Sequence, residues 1–262
     1  MDRQFPERNW QEQYTKFGSY EHEIARGNVR GAYPISGYGK LVAGSAVTNT
    51  LIQTQDGSAL RVPQSVQMSV ASTSANDTAG GSGARTIIIE YLNGSLDLSV
   101  EVLTLNGLTP VLTQATDIRW VQNIFVATAG NGGVAAGAIS ISHNSTIYDQ
   151  IPAGDRASHS SFYRVPRNKC MYLTAMYAGA SSGTAATSVL VELVTTQVDG
   201  LDQQETGLFY KVAGIALQDV STTLPLSMPF PIQAGQIAGF VATCDKGATI
   251  TAGFMGWMED AS

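Results

Sequence analysis

The sequence of 262 residues has few charged residues and few cysteines, and it has no long apolar run. Only 14% of its residues are charged, whereas an average soluble domain has about 25%. Glycine, alanine, serine and threonine fill the difference, so charge repulsion gives no reason to expect disorder. A surface of this kind stays soluble through hydroxyl and amide groups, and it is typical of subunits that are partly buried in assemblies.

These shortages argue against several classes of partner. The net charge of −6 argues against nucleic acid, because phosphate binding requires clustered lysine and arginine. No run of 18 apolar residues exists, so we expect no membrane partner and no spanning helix. The first ten residues, MDRQFPERNW, lack the apolar core of a secretory signal, so we expect none. The two cysteines, Cys170 and Cys244, are then expected to be reduced and buried.

Motifs of the common enzyme classes are also missing. The sequence has no G-x-S-x-G nucleophile elbow, no phosphate-binding loop and no H-E-x-x-H zinc motif. Its three histidines, His22, His143 and His159, are not spaced like metal ligands. We therefore predict no catalytic residue, no cofactor and no metal.

What the sequence does contain is an internal echo at a spacing of about a hundred residues. Residues 61–68 read RVPQSVQM, and residues 164–171 read RVPRNKCM. Each is followed by a small-residue run and then by an apolar strand, TIIIEYL ending at Leu92 and SVLVELV ending at Val194. Such an echo favours two similar folding units in tandem, with chance similarity between small-residue runs as the alternative.

The first 40 residues differ in composition from the rest of the chain, since they hold six basic and five acidic residues. Apolar residues in this stretch recur at helical spacing and would share one face of a short helix. Glycines at positions 27, 31, 37 and 39, together with Pro34, predict irregular structure from the end of that helix to about Lys40.

A segment of this kind has two interpretations. It packs back on its own domain, or it is an arm that becomes ordered when it docks on a neighbouring subunit. We predict the second, with residues 4–40 as the docking arm. The predicted partner-binding residues are Trp10, Tyr14, Phe17, Tyr20 and Ile24.

From about residue 42 onward, short apolar strands alternate with turn residues. The dipeptide Asn106-Gly107 lies between two apolar runs and predicts a β-hairpin of residues 98–105 and 108–113. Residues 119–127 and 138–142 predict another strand pair around a glycine-rich turn.

Two further stretches carry proline or polar residues. Residues 224–231 are predicted to form an edge strand or a connector, because each proline removes a hydrogen-bond donor. Residues 143–160 are predicted to form a linker or a long loop. The small-residue loops at 76–83 and 129–137 suit adaptable contacts better than catalysis.

We therefore predict an all-β protein with two tandem antiparallel β-sandwich, jelly-roll-like units, preceded by an extended N-terminal arm with a short helix. The predicted boundaries are residues 1–41 for the arm, 42–145 for the first sandwich and 146–262 for the second.

Several passages carry a resemblance to a known group of proteins. They are SANDTAGGSGARTIIIEYLNG (74–94), VEVLTLNG (100–107), IFVATAGNGGVAAGAISI (124–141) and IPAGDRASHSSFYRVPRNKCMYLTAMYA (151–178), with PFPIQAGQIAGF (229–240) further on. The chain resembles virion structural proteins of tailed bacteriophages, notably those of cyanobacteria and other aquatic bacteria. The resemblance lies in the style of loops and strands, and no catalytic residue comes with it.

The resemblance implies a non-enzymatic place on the particle, with assembly in the host cytoplasm. The expected role is a capsid decoration, cement or head-fibre subunit that forms a homo-oligomer, a homotrimer first of all, and binds the major capsid protein or other virion proteins. The alternative is a tail or collar component that binds a host-surface glycan. A carbohydrate-active enzyme is a more remote alternative, because the separation of acidic pairs cannot be read from a sequence.

Overall fold

The computed structural model describes residues 20–53, 65–182, 187–196, 209–218 and 220–261. Within these ranges the chain forms one short helix and sixteen strands, and every strand pairing is antiparallel. In chain order they are α1 Tyr20–Ala25, β1 Tyr33–Ala43, β2 Val47–Leu51, β3 Ser69–Ser72, β4 Ala84–Leu92, β5 Leu98–Thr104, β6 Val111–Leu112, β7 Trp120–Ala129, β8 Ile139–His143, β9 Thr146–Ile151, β10 Tyr163–Arg164, β11 Lys169–Ser181, β12 Ser188–Thr196, β13 Phe209–Gln218, β14 Ser221–Ile232, β15 Ile237–Cys244 and β16 Ala248–Asp260. The predicted all-β class is confirmed.

Nine of the strands form a jelly roll of two packed sheets. One sheet has the order β1-β16-β11-β14, and the other has β15 and β12 at its centre, with β2 and β10 beside β15 and β13 beside β12. The first and last described strands therefore lie side by side, and most connections cross between the sheets, with β12 and β13 as neighbours in one sheet. This is the topology of a double Greek key. Buried side chains such as Phe240 and Phe254 fill the space between the two sheets.

A second sandwich lies between β2 and β10 in the chain. Its sheets have the orders β6-β3-β8-β9 and β5-β4-β7. Its separate core consists mainly of isoleucine, with Met68 and Leu105 also fully buried. Isoleucine fits this setting because its branched side chain packs well between two pleated sheets.

The two sandwiches share one arrangement of strands. Strands β3 to β8 pair with one another as β11 to β16 do, and β9 lies beside β8 as β1 lies beside β16. Residues 156–158 run beside β7, where Val126 N–H donates to the Arg156 carbonyl (2.7 Å) and Ser158 N–H donates to the Ile124 carbonyl (2.9 Å). They occupy the place that β2 has beside β15. The inserted sandwich is thus a jelly roll whose chain order is circularly permuted.

The internal echo has a counterpart in this arrangement. Met68 and Met171 are both fully buried at the start of equivalent strands, and Glu90 and Glu192 lie on the equivalent strands β4 and β12. The first residues of the earlier copy, 61–64, lie outside the described residues.

The pairing of β1 and β2 differs from the predicted domain boundaries. β1 pairs with β16 along all of its 11 residues, and β2 pairs with β15. Residues 33–51 therefore belong to the same sandwich as the C-terminal half of the chain, and residues 66–158 form an insertion. Of the glycines that predicted an irregular segment, Gly27 and Gly31 do lie in turns before β1, whereas Gly37 and Gly39 are part of β1. A β-carbon at Gly37 would collide with the ring of Phe254, which packs against that position.

The two predicted strand pairs are wrong. β5 pairs with β4 and β6 with β3, so the Asn106-Gly107 turn crosses between sheets and makes no hairpin. Strands β7 and β8 likewise lie in different sheets. Residues 143–160 include a strand, β9, and are only partly a loop. The proline-spaced residues do form an edge strand, since β14 pairs only with β11 among the described strands.

A buried carboxylate holds the loops of the inserted sandwich. Asp77 is fully buried, and its Oδ1 accepts hydrogen bonds from the backbone N–H of Ala84 (2.7 Å) and Ala136 (2.8 Å). Its Oδ2 accepts from Gly137 N–H (2.8 Å) and from the Ser72 hydroxyl (2.6 Å). The loops at 76–83 and 129–137 are therefore cross-linked through one side chain, although their small residues had suggested adaptable contacts.

A small apolar cluster joins the two sandwiches. Leu92 and Trp120 of the inserted sandwich pack with Phe162, Val194 and Val241 of the other sandwich, which is called the outer jelly roll from here on. A pair of hydrogen bonds lies alongside: Gln122 Nε2 donates to the Arg164 carbonyl (2.6 Å), and Arg164 N–H donates to Gln122 Oε1 (3.0 Å). The side chain of Arg164 is buried there, and burial is the main cause that lowers its pKa to about 10.

We predict that Asp77→Asn lowers the free energy of unfolding by about 3–5 kcal/mol, because a buried amide nitrogen would then face backbone donors. Urea denaturation followed by circular dichroism measures the change. The matched control is Asp97→Asn, an exposed position expected to change stability by less than about 0.5 kcal/mol. Equal midpoints for the two variants would contradict the role given to Asp77.

Candidate interaction surfaces

The end of the predicted arm lies on the outer face of the jelly roll. Tyr20, the first residue of α1, donates its hydroxyl to Glu259 Oε2 (2.8 Å), and its ring meets Trp257 edge-on at 5.7 Å between centroids. Trp257 in turn stacks on Tyr172 at 5.2 Å and donates Nε1–H to the same carboxylate oxygen (3.2 Å). Ile24 is only 2% exposed. Helix α1 is thus fastened to the strands of its own chain.

This placement bears on the predicted partner-binding residues. Tyr20 and Ile24 contact their own jelly roll, and Trp10, Tyr14 and Phe17 lie outside the described residues. The anchor therefore separates the arm into two parts, a fastened end from residue 20 and a preceding segment of 19 residues. Docking of that segment on a partner stays a prediction.

A cleft of about 500 Å³ opens between β1 and the inserted sandwich. One wall is the strand from Tyr33 to Tyr38, and the opposite wall includes Glu90 and Leu98. Ser158, His159, Ser160 and Ser161 form its floor together with Phe162. The cleft exists because the insertion leaves and rejoins the jelly roll next to β1.

The titratable groups in this cleft are partly desolvated. Burial raises the pKa of the Glu90 carboxyl and is the largest cause of the raised pKa of the Tyr33 and Tyr163 hydroxyls. Burial also lowers the pKa of His159, whose ring lies edge-on against Tyr38 at 5.3 Å. Each of these pKa shifts favours the neutral form of its side chain, and the largest cause in each case is the partial burial of the cleft.

The most exposed apolar surface lies on the other sandwich, on strand β5. Leu98, Val100 and Val102 are 43%, 58% and 60% exposed and alternate with residues that point inward. On the neighbouring strand β4 they lie opposite Leu92, Glu90 and Ile88. This row of three side chains is called the β5 row below.

Other expectations concern metals, cysteines and membranes. Cys170 and Cys244 are buried and free, as predicted. In the part of the chain that the structure describes, no group of three or more His, Cys, Asp or Glu residues is placed to hold a metal ion. The same residues include no helix that is long and apolar enough to span a membrane.

One buried carboxyl escaped the sequence analysis. Asp149 on β9 is 5% exposed, accepts the N–H of Gln150 through Oδ1 (2.9 Å), and has no hydrogen-bond partner at Oδ2. Burial raises its pKa from 3.8 to about 7, against the opposing effect of hydrogen bonds from Ser158 and Gln150. Inward-facing positions of a strand are recognised in a sequence by their apolar residues. Asp149 occupies an inward-facing position of β9 with a polar side chain, so the sequence gave no sign that it is buried.

Comparison with known proteins adds little to this geometry. No protein-family model matches the chain, and no curated protein matches it significantly. Among solved structures, the mosquito-larvicidal Cry4Aa toxin of Bacillus thuringiensis is 8% identical with a TM-score of 0.18, covering 97% of this chain and 57% of the toxin. The VP2 subviral particle of infectious bursal disease virus is 9% identical with a TM-score of 0.17, covering 89% of this chain and 78% of VP2. TM-scores this low do not establish a common fold.

We predict that Ile24→Asp detaches α1, because a charged side chain cannot be buried against the jelly roll without a partner. Arg26 and Arg30 are already exposed, but local opening would free the backbone around them to enter a protease, so trypsin would cleave after them about tenfold faster than in the wild type. Mass spectrometry of timed digests measures the rate. Glu21→Gln, an exposed change on the same helix, is the control, and unchanged cleavage in Ile24→Asp would refute the anchor.

We also predict that Asp149 makes stability depend on pH. Between its unfolded pKa near 4 and its folded pKa of about 7, the folded state keeps a proton that the unfolded state has released. The contribution of Asp149 to stability is therefore largest below pH 4, falls as the pH rises to about 7, and levels off above.

Asp149→Asn should remove this dependence, so that the variant gains about 2–4 kcal/mol relative to the wild type between pH 5 and pH 8.5. Urea denaturation at both pH values measures it. The control Asp97→Asn should follow the wild-type slope. Parallel pH profiles for Asp149→Asn and the wild type would show that Asp149 does not titrate in this range.

Proposed function

We propose that the chain is a non-enzymatic structural subunit of a virus particle, of the kind that tailed bacteriophages of cyanobacteria and other aquatic bacteria carry as a capsid decoration, cement or head-fibre protein. The observation that carries the proposal is the jelly roll with a second jelly roll inserted between β2 and β10. Jelly rolls recur in viral capsid proteins and in lectins. The resemblance of the sequence to such virion proteins is independent support.

The surface chemistry agrees with a role in assembly. An exposed apolar row on β5 is costly for a protein that stays monomeric, because contiguous exposed apolar surface promotes association. The chain has few charges to oppose such contacts. We therefore expect a homo-oligomer, a homotrimer first of all, that also binds the major capsid protein or another virion protein after synthesis in the host cytoplasm.

The N-terminal segment supplies the attachment in this proposal. Its last residues are fastened to the jelly roll through Tyr20 and Ile24, so a partner that holds residues 1–19 would hold the whole subunit. The aromatic residues Trp10, Tyr14 and Phe17 are its anchors. Binding of a short segment that becomes ordered on its partner is a common way to link subunits.

A second candidate is a tail or collar component that binds a host-surface glycan. The ring of Tyr38 is 43% exposed at the cleft, beside hydroxyl and amide groups that suit a sugar. The place of the protein on the particle distinguishes the two candidates, since a decoration protein labels the shell and an adhesin labels one end.

We predict that deletion of residues 1–19 abolishes attachment to particles and leaves the fold intact. A longer deletion that included β1 would remove an edge strand of the jelly roll and is unsuitable. The measurement is the amount of protein that co-sediments with particles after expression during infection, with full-length protein as the control. Circular dichroism checks the fold of the truncated protein.

Wild-type occupancy of the truncated protein would refute anchoring by the arm. Failure of the full-length protein to associate with particles would refute the virion role. Antibody labelling at the tail end alone would favour the second candidate.

A further inference from the structure

The β5 row belongs to a strand with one open edge. β5 pairs with β4 along residues 98–104, and no other strand among the described residues pairs with it. Between the exposed residues of the row, Leu103 is buried and Glu101 accepts the backbone N–H groups of Gln114 (2.7 Å) and Ala115 (3.0 Å). The inward-facing side chains of β5 therefore have partners within their own sandwich. Its outward-facing side chains are exposed, and no described strand pairs with the edge opposite β4.

Three other edge strands of this protein, β14, β1 and β13, carry residues that hinder pairing with a further strand, and β5 carries none of these residues. Proteins guard open edges with proline or with lysine, which prevent a second strand from adding. β14 carries three prolines, β1 carries Pro34 and Lys40, and β13 carries Lys211. The sequence of β5, LSVEVLT, contains neither proline nor a basic residue. An unguarded, apolar edge favours strand addition.

We propose that β5 pairs edge to edge with β5 of a second copy of this chain, antiparallel, about a two-fold axis at Val100. The inference rests on the proposed role as a self-assembling subunit and names one contact between copies. A two-fold contact joins copies in pairs, so it is separate from the contact that would close a homotrimer. The resulting sheet would continue from β7 and β4 of one copy through both β5 strands into the other copy.

The charges on the strand select this register. With the axis at Val100, Val100 meets the partner subunit's Val100, Leu98 meets the partner's Val102, and Glu101 meets the partner's Ser99. An axis at Glu101 would set two carboxylates directly opposite each other, and an axis at Ser99 would set Asp97 opposite the partner's Glu101. Like charges in directly opposed positions destabilise a strand pair.

An axis at Val102 avoids that repulsion but breaks the apolar match, because Val100 would meet the partner's Thr104 and Leu98 the partner's Asn106. The Val100 register alone joins the β5 rows of both copies into six continuous apolar residues. A self-complementary sequence of this kind is what a two-fold contact requires.

The contact is small. Seven residues per copy bury less than the roughly 800 Å² per partner of a typical stable complex. We therefore expect self-pairing that depends on protein concentration in solution and is reinforced when other contacts of an assembly hold the copies together.

A pair of cysteine variants tests the register. In Val100→Cys the new thiols would face each other across the axis at a Cα separation of about 4.5–5.5 Å, which a disulfide can bridge. In Val102→Cys they would lie four positions apart, about 13 Å, and could not be joined. The two positions are equally exposed, at 58% and 60%, so random collisions affect both variants alike.

Non-reducing electrophoresis after mild oxidation of concentrated, folded protein measures the covalent dimer. We expect at least about tenfold more dimer from Val100→Cys than from Val102→Cys, and none from the wild type, whose cysteines are buried. Equal yields from the two variants, or more dimer from Val102→Cys, would overturn the proposal.

A third variant tests the contact without a disulfide. Val100→Lys places a guarding charge on the edge, and we expect it to weaken self-association in analytical ultracentrifugation at least tenfold while the Tm stays unchanged. Unchanged association would overturn the proposal. These results are separable from the proposed function: a Val100→Cys dimer from protein that never binds particles would sustain this contact and refute the virion role.

Discussion

The pairing of β1 with β16 is the constraint on which the rest of the molecule depends. Eleven residues near the start of the described chain lie against eleven residues near its end. With β1 fixed at the edge of this sheet, β2 lies beside β15 in the other sheet of the same sandwich, and residues 66–158 become an insertion. A pairing over such a sequence distance forms slowly, because the loop must close before the contact stabilises it. We expect the inserted sandwich, with its shorter-range pairings, to fold before the jelly roll closes.

Within the insertion, order comes from polar groups as much as from the apolar core. Asp77 accepts four hydrogen bonds and holds two glycine-rich loops that have few apolar side chains of their own. Ordering such loops costs conformational entropy, and the hydrogen bonds to Asp77 offset that cost. The two hydrogen bonds between Gln122 and Arg164 likewise hold the two sandwiches together. Buried polar networks of this kind specify one arrangement, since any shift leaves a donor or an acceptor unpaired in a poorly solvated place.

The sequence allowed the strands to be located but not their partners. Short apolar runs bounded by turn residues correctly placed strands such as β4 and β12, because that signal is local. The partners of β1 were missed, because Gly37 and Gly39 replace the apolar residues that would have marked its inner face. Asn106-Gly107 predicted a hairpin from turn geometry alone, and nothing local shows that the next strand joins the opposite sheet. In β5 the apolar residues Leu98, Val100 and Val102 face solvent, because the burial of a strand depends on what covers its face and not on its own sequence.

The place where the insertion leaves the jelly roll has a consequence for protein engineering. Ser161 donates its N–H to the Ile52 carbonyl at 3.1 Å, so the points of departure and return are already in contact. We therefore expect the outer jelly roll to accept a different inserted domain at this position, provided that the two ends of that domain lie close together. The inserted jelly roll meets this requirement. Its chain begins and ends at the position equivalent to the one where the outer jelly roll is interrupted, between β2 and β10. The outer jelly roll could thus serve in engineering as a scaffold that presents a second folded domain between β2 and β10.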